Sequence, residues 1–195
     1  MEEQIIAIYC LCDDFIRFKD FTDWHNVKVS TAEIMTCFIV AMRFFYGNLD
    51  LARKFLYEQR YICKMITLSA LIKRIRRIDE YWWHDILEFI QSWGKKSGLP
   101  FEYIVDAFPI SVCRNIRISR CRIYQGIRLI TDRKANTTRP MKLEDFVNLK
   151  HIRGIIETTF GLISRLLPRK IHAVTQNGFE LKVLGFIVAF ATNFI

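Results

Sequence analysis

Apolar residues recur at three- and four-residue spacings through the first half of the chain, a pattern that predicts amphipathic helices. In the opening segment Ile5, Ile8, Cys12 and Phe15 share one helical face. Ser30 followed by Glu33 is the pattern of a capping box and predicts a helix start there. With Gly47 as a breaker, the predicted helices are 2–18, 31–45, 49–58, 67–78 and 79–93.

The pattern changes after Pro100. Residues 101–108 combine β-branched and aromatic side chains in a short run, which predicts a strand. Residues 113–124 alternate arginine with apolar residues, as an extended segment with one basic face would, and residues 131–142 have the composition of a basic loop. Helical spacing resumes near Leu143 and stops at Pro168, and a last helix is predicted over 179–194.

These elements predict a mostly α fold with a small β component (α+β), made of a helical domain over 1–98 and a second domain over 99–195. The longest apolar run, 183–195, has 13 residues, whereas a spanning helix needs about 20. It therefore predicts a buried terminal helix and no membrane contact.

Composition narrows the class of protein. The chain begins Met1-Glu2-Glu3 without a secretion signal, so its six cysteines are predicted to be free thiols in a reducing cytoplasm. Cys10 and Cys12 are separated by one residue, which does not suit a zinc knuckle. The net charge of +9 divides into +1 for residues 1–100 and +8 for 101–195. That asymmetry predicts nucleic-acid contact, against the alternative of an ordinary basic domain.

One basic helix is a candidate for reading DNA. In 67–78 the apolar residues face inward and Lys73, Arg74, Arg76 and Arg77 stay outside. A helix pair whose second member is basic is the arrangement of helix-turn-helix modules. The equally weighted alternative is the solvated face of a helical bundle.

Two carboxylates could take part in chemistry on phosphodiesters. Asp106 ends the predicted strand and Glu157 lies in an apolar helix, so the two could converge on a divalent metal pair. The alternatives are a turn residue at Asp106 and an ordinary surface pair between Arg153 and Glu157, in the less favourable order.

At these positions the sequence resembles bacterial insertion-sequence transposases of the DDE superfamily. Residues 103–109 and 113–121 resemble their first catalytic block, and 155–160, 171–175 and 178–182 resemble their last. Residues 5–14 and 47–64 are similar to their N-terminal helical part. The resemblance implies an RNase H-like core, with a DDE triad that binds Mg²⁺ or Mn²⁺, cuts at transposon ends and joins them to target DNA.

Carried over to this sequence, the resemblance makes Asp106 and Glu157 catalytic metal ligands, with Arg153 one turn earlier. Some relatives have a lysine where this chain has Ser164, beside Arg165. The residues predicted to contact DNA are basic ones from the helical part, the arginine-rich segment, the following loop and the late helix: Lys73, Arg74, Arg76, Arg77, Arg117, Arg120, Arg122, Arg133, Lys134, Arg139 and Arg153.

The chain departs from the family in its middle. The strands and the second Asp that relatives carry between the two blocks are missing, with the join near Gln125, so residues 99–195 are expected to be an incomplete RNase H-like core. Loss of a ligand from a two-metal site predicts no strand transfer. The expected protein is an inactive transposase fragment in the bacterial cytoplasm, at the nucleoid.

Its expected partners are transposon-end and target DNA, together with a homo-oligomer or a mixed oligomer with an intact transposase. The main alternative is a non-catalytic regulator that competes with or poisons the intact enzyme. Less favoured are an unrelated nuclease or RNA-binding protein, and a product that does not fold stably.

Overall fold

The computed structural model describes residues 1–94, 143–169, 171, 173 and 175–195. The described residues form α-helices joined by turns, with one short 3₁₀ turn at Thr192–Phe194. All the predicted helices are confirmed, with shifts of at most three residues at their ends. They are α1 (Glu2–Phe18), α2 (Thr31–Phe44), α3 (Leu49–Glu58), α4 (Leu68–Ile75), α5 (Glu80–Gly94), α6 (Leu143–Leu166) and α7 (Gln176–Ala191).

The predicted fold class is wrong. No strand occurs in residues 1–94 or in the described residues from 143 onward, and the fold there is all-helical rather than α+β with an RNase H-like core. An RNase H-like core needs a central sheet on which helices pack, whereas the core seen here forms where helices pack on one another. The segments predicted as strands, 101–108 and 113–124, lie outside the described residues.

Helix α2 is the centre of this core. Eleven of its 14 residues are buried, as expected for a helix that is apolar on all sides. Its start is fixed by the predicted capping box, in which Glu33 N donates to Ser30 Oγ at 3.1 Å and Ser30 N donates to Glu33 Oε2 at 2.6 Å. The helix ends at Phe44, and Gly47 closes the turn after it, with a φ of +82° that suits glycine and an N–H that donates to Ala41 O at 2.9 Å. Helices α1, α3, α4 and α7 pack around it.

Helix α7 brings the end of the chain back onto the N-terminal helices. It packs against α2 and α5, and the predicted burial of the terminal helix is confirmed by Phe186, Val188 and Ala189. The close approach depends on Gly185, because a Cβ there would lie 2.5 Å from the buried Phe38 ring. Arg43 of α2 holds the end of α7 by donating to Ala189 O at 3.1 Å and to Asn193 Oδ1 at 2.5 Å.

Contacts divide the chain into two compact units, Met1–Pro100 with Leu166–Ile195, and Phe101–Arg165. The first unit contains α1–α5 and α7, and most of α6 belongs to the second. The described side chains of α6 between 150 and 166 are all exposed or half-buried. No single helix of the described part is long and apolar enough to cross a membrane; α2 and α3 together meet the limits of length and composition but are bent by 113° at their junction.

Candidate nucleic-acid interface

The pair α3–α4 lacks the short turn of a helix-turn-helix module. Nine residues, 59–67, separate the two helices, whereas that module uses three or four. Arg53 fixes this connection, because its Nη1 donates to Ile66 O at 3.0 Å while its other nitrogens bind Asp50. The Arg53 guanidinium thus stabilises the loop between α3 and α4.

Arg74 is half-buried and lies against the segment that leads into α2. Its guanidinium donates to the Val29 carbonyl, to Thr31 Oγ1 at 3.1 Å and to Asp23 Oδ1 at 3.3 Å. Asp23 in turn caps the start of α2, accepting from Thr31 N and Thr31 Oγ1, each at 2.6 Å. Arg74 therefore ties α4 to the beginning of α2, a position the helical periodicity alone did not indicate.

The other three cations predicted on this helix are exposed: Lys73, Arg76 and Arg77. Helix α4 ends at Ile75, and Arg76 is its C-cap residue; Arg76 N donates to Ile72 O at 3.1 Å, and Arg77 N donates to Arg74 O at 3.0 Å. The two arginines therefore lie on the turn between α4 and α5. Neither guanidinium has a hydrogen-bond or ion-pair partner among the residues that the structure describes.

This turn forms one side of a groove of about 600 Å³, and the start of α7 forms the other. We call it the α4–α7 groove. Apolar side chains contribute to its lining together with charged and polar ones; the full set is Ile75, Arg76, Arg77, Ile78, Asp79, Glu80, Thr175, Asn177, Gly178 and Leu181. About a hundred positions separate Arg77 from Asn177 in the sequence, so periodicity could not indicate that they share a groove.

Only one of the two predicted catalytic carboxylates, Glu157, lies in the part of the chain that the structure describes. Glu157 lies on the exposed side of α6, as do Arg153 one turn earlier and Lys150 before it; Ser164 and Arg165 are exposed further along. Asp106 lies outside the described residues. Within the described ranges, no three His, Cys, Asp or Glu side chains are placed to hold a metal ion. The described donors thus do not fit the two-metal centre for Mg²⁺ or Mn²⁺ that the resemblance implied.

Several other predicted residues also lie outside the described part of the chain: Arg117, Arg120, Arg122, Arg133, Lys134 and Arg139. Their assignment to DNA contact stays a prediction.

The four described cysteines are free, as predicted. Cys10 and Cys63 are exposed, while Cys12 and Cys37 are buried. Desolvation raises the pKa of the buried Cys12 thiol to about 12, and a hydrogen bond with Thr36 opposes it. Desolvation likewise raises the pKa of Cys37 to about 12, with Arg53 acting in the opposite direction. These two are inert core thiols and not nucleophiles.

In comparisons with protein-family models, with curated proteins and with solved structures, the chain shows no match.

Proposed function

We propose that this chain is a DNA-binding protein derived from a bacterial insertion-sequence transposase, which binds transposon-end DNA without cutting or joining it. The observation that carries the proposal is the distribution of charge. Residues 95–142 contain 11 Lys or Arg and 3 Asp or Glu, a net charge of +8, whereas all the other residues together carry +1.

The helical part compensates much of its own charge. Arg17, Lys19, Arg53, Lys54 and Arg74 each form an ion pair with an aspartate of the same unit. The segment 95–142 has too few acidic residues to compensate its own cations in this way. An excess of that size over 48 residues favours a polyanionic partner, because each phosphate neutralised by Lys or Arg releases condensed counterions.

A role without catalysis is supported by the carboxylates. The second Asp of the family pattern is missing from the sequence, and the described residues include no group of three His, Cys, Asp or Glu side chains placed to hold a metal ion. A protein that occupies transposon ends without processing them competes with an intact transposase. The incomplete set of carboxylates therefore favours the second candidate function, a regulator of transposition, over a residual enzyme.

The binding test is fluorescence anisotropy with labelled duplexes, one carrying a terminal inverted repeat of an insertion sequence from the family that the chain resembles and one a shuffled sequence of equal composition. We expect the repeat to bind more tightly, with log Kobs falling by about 0.9 per phosphate contact for each tenfold rise in salt. Equal affinities would remove the transposon-end assignment and leave polyelectrolyte binding. No binding at low salt would overturn the proposal.

The catalytic test uses the same repeat DNA with Mn²⁺. We expect no 3′-end cleavage from the unaltered chain. Cleavage that disappears in Glu157→Gln and in Asp106→Ala would show an active centre and refute a role without catalysis.

A further inference from the structure

Resting on the proposed function, we propose that the α4–α7 groove is a binding site for phosphates of the DNA backbone, with Arg76 and Arg77 as its ligating side chains. The juxtaposition that carries this is a pair of guanidiniums, without partners among the described residues, opposite the start of a 16-residue helix in one groove of about 600 Å³.

The two arginines are available to a ligand. Both are exposed, and neither is engaged by the acidic residues that follow them in sequence. This distinguishes them from Arg53 and Arg74, whose guanidiniums are taken up by backbone carbonyls and aspartates. Guanidinium groups bind phosphate with paired, charge-assisted hydrogen bonds, so two exposed ones on one turn suit adjacent phosphates.

The opposite side of the groove also favours an anion. The first turn of α7 contains no acidic residue, and Thr175 caps it by accepting from Gly178 N at 3.1 Å. The first backbone bond of the helix joins Phe179 N to Thr175 O, so the N–H groups of Gln176 and Asn177 have no intrahelical acceptor. Asn177 lines the same groove. These donors add to the arginines without replacing them as the basis of the site.

Asp79 and Glu80 restrict where in the groove a phosphate can bind. Asp79 Oδ1 accepts from Tyr81 N at 3.0 Å at the start of α5, so that carboxylate serves the helix. Both acidic residues line the groove and repel an anion that approaches the α5 side. The phosphate therefore belongs between the arginine turn and α7. Neutralising the two acids should strengthen binding, an effect of opposite sign to removal of the arginines.

The experiment uses the full chain and the labelled repeat duplex, with Arg76→Gln/Arg77→Gln as the test variant. Lys28→Gln/Lys64→Gln is the matched control, because it removes two exposed charges of the same unit that do not line the groove. Asp79→Asn/Glu80→Gln is the variant of opposite sign. Melting temperatures accompany each binding measurement, so that loss of fold is not read as loss of contact.

We expect Arg76→Gln/Arg77→Gln to weaken binding at least tenfold and to reduce the salt slope by about 1 to 2, as for two lost phosphate contacts. The control should change the affinity by less than threefold, and Asp79→Asn/Glu80→Gln should tighten binding. If Arg76→Gln/Arg77→Gln and Lys28→Gln/Lys64→Gln weaken binding equally, the net charge of the protein explains the affinity. That result would refute the groove site, while the proposed function stands. If the unaltered chain binds no DNA, the proposed function itself fails. Binding of an acidic peptide in preference to DNA would assign the groove to a protein partner and also refute the site.

Discussion

Burial divides the described thiols into two chemical kinds. Cys12 is fully buried and Cys37 almost so, and desolvation raises the pKa of each to about 12. In the unfolded chain the pKa of a thiol is about 8.5. The folded state therefore holds these protons more tightly than the unfolded state does.

The stability of the protein should consequently fall in alkali. A pKa raised on folding contributes stabilisation that is complete below the unfolded pKa and is lost as the pH rises toward the folded value. We expect the free energy of unfolding to decline between about pH 9 and pH 12 by up to about 1.4 kcal/mol per pH unit for each buried thiol. Urea titrations between pH 7.5 and 10.5 measure this decline.

The control for this decline is Cys12→Ala/Cys37→Ala, which retains every other group that titrates in alkali. Its unfolding free energy should be lower at pH 7.5 but should depend less on pH above 9. Identical slopes in the two proteins would contradict the assignment.

At the scale of elements, α4 illustrates what periodicity can and cannot predict. Its apolar face was predictable, and Leu71 and Ile75 are buried as expected. The direction of Arg74 was not, because its partners Asp23, Val29 and Thr31 lie more than 40 residues earlier, in and beside a loop with no regular pattern. A charged residue on the polar face of a helix is predicted to be exposed to solvent. That prediction fails where an acceptor from a distant part of the sequence lies beside it, as it does for Arg74.

Arg74 should accordingly matter to stability. Replacing it with methionine keeps most of the apolar stem but leaves Asp23 and the Val29 carbonyl without their cationic donor. We expect a loss of about 1 to 3 kcal/mol, the usual cost of removing a charged hydrogen-bonding partner. The measurement is the urea midpoint of unfolding at neutral pH.

Arg77→Met is the matched comparison, since its guanidinium is exposed and unpartnered among the described residues. It should leave the free energy of unfolding within about 0.5 kcal/mol of that of the unaltered chain. Equal losses in the two variants would mean that the contacts of Arg74 do not stabilise the fold.

At the scale of the whole molecule, the helices are predictable from local sequence signals, whereas the RNase H-like core was expected only from the family resemblance. Capping residues such as Ser30 and Thr67 fix helix starts through neighbours within three residues, so sequence suffices for them. The RNase H-like core was inferred from short blocks around Asp106 and Glu157, and such blocks do not determine which elements pack together. The α4–α7 groove depends on the return of α7 to the N-terminal helices, a contact between distant positions that no local pattern records.

That return gives a prediction for the fold as a whole. If α7 completes the core around α2 and α5, a charge buried on α7 should unfold helices near the other end of the chain. Val188 is fully buried and its neighbour Ile187 is 38% exposed, so Val188→Asp and Ile187→Asp form a matched pair. An unpaired carboxylate at position 188 costs several kcal/mol of desolvation, comparable with the usual total stability of about 5 to 15 kcal/mol.

We expect Val188→Asp to lose the near-ultraviolet circular dichroism of the aromatic core, in which the buried Trp83 packs on Phe38 at 4.8 Å between ring centroids. Ile187→Asp should retain that signal, together with a cooperative thermal transition. Because Trp83 lies about a hundred positions before the substitution, its loss of order would show that the N-terminal helices require α7. A Val188→Asp protein with an unchanged aromatic spectrum would mean that residues 1–94 fold without the end of the chain, and that the groove formed with α7 is not a fixed part of the molecule.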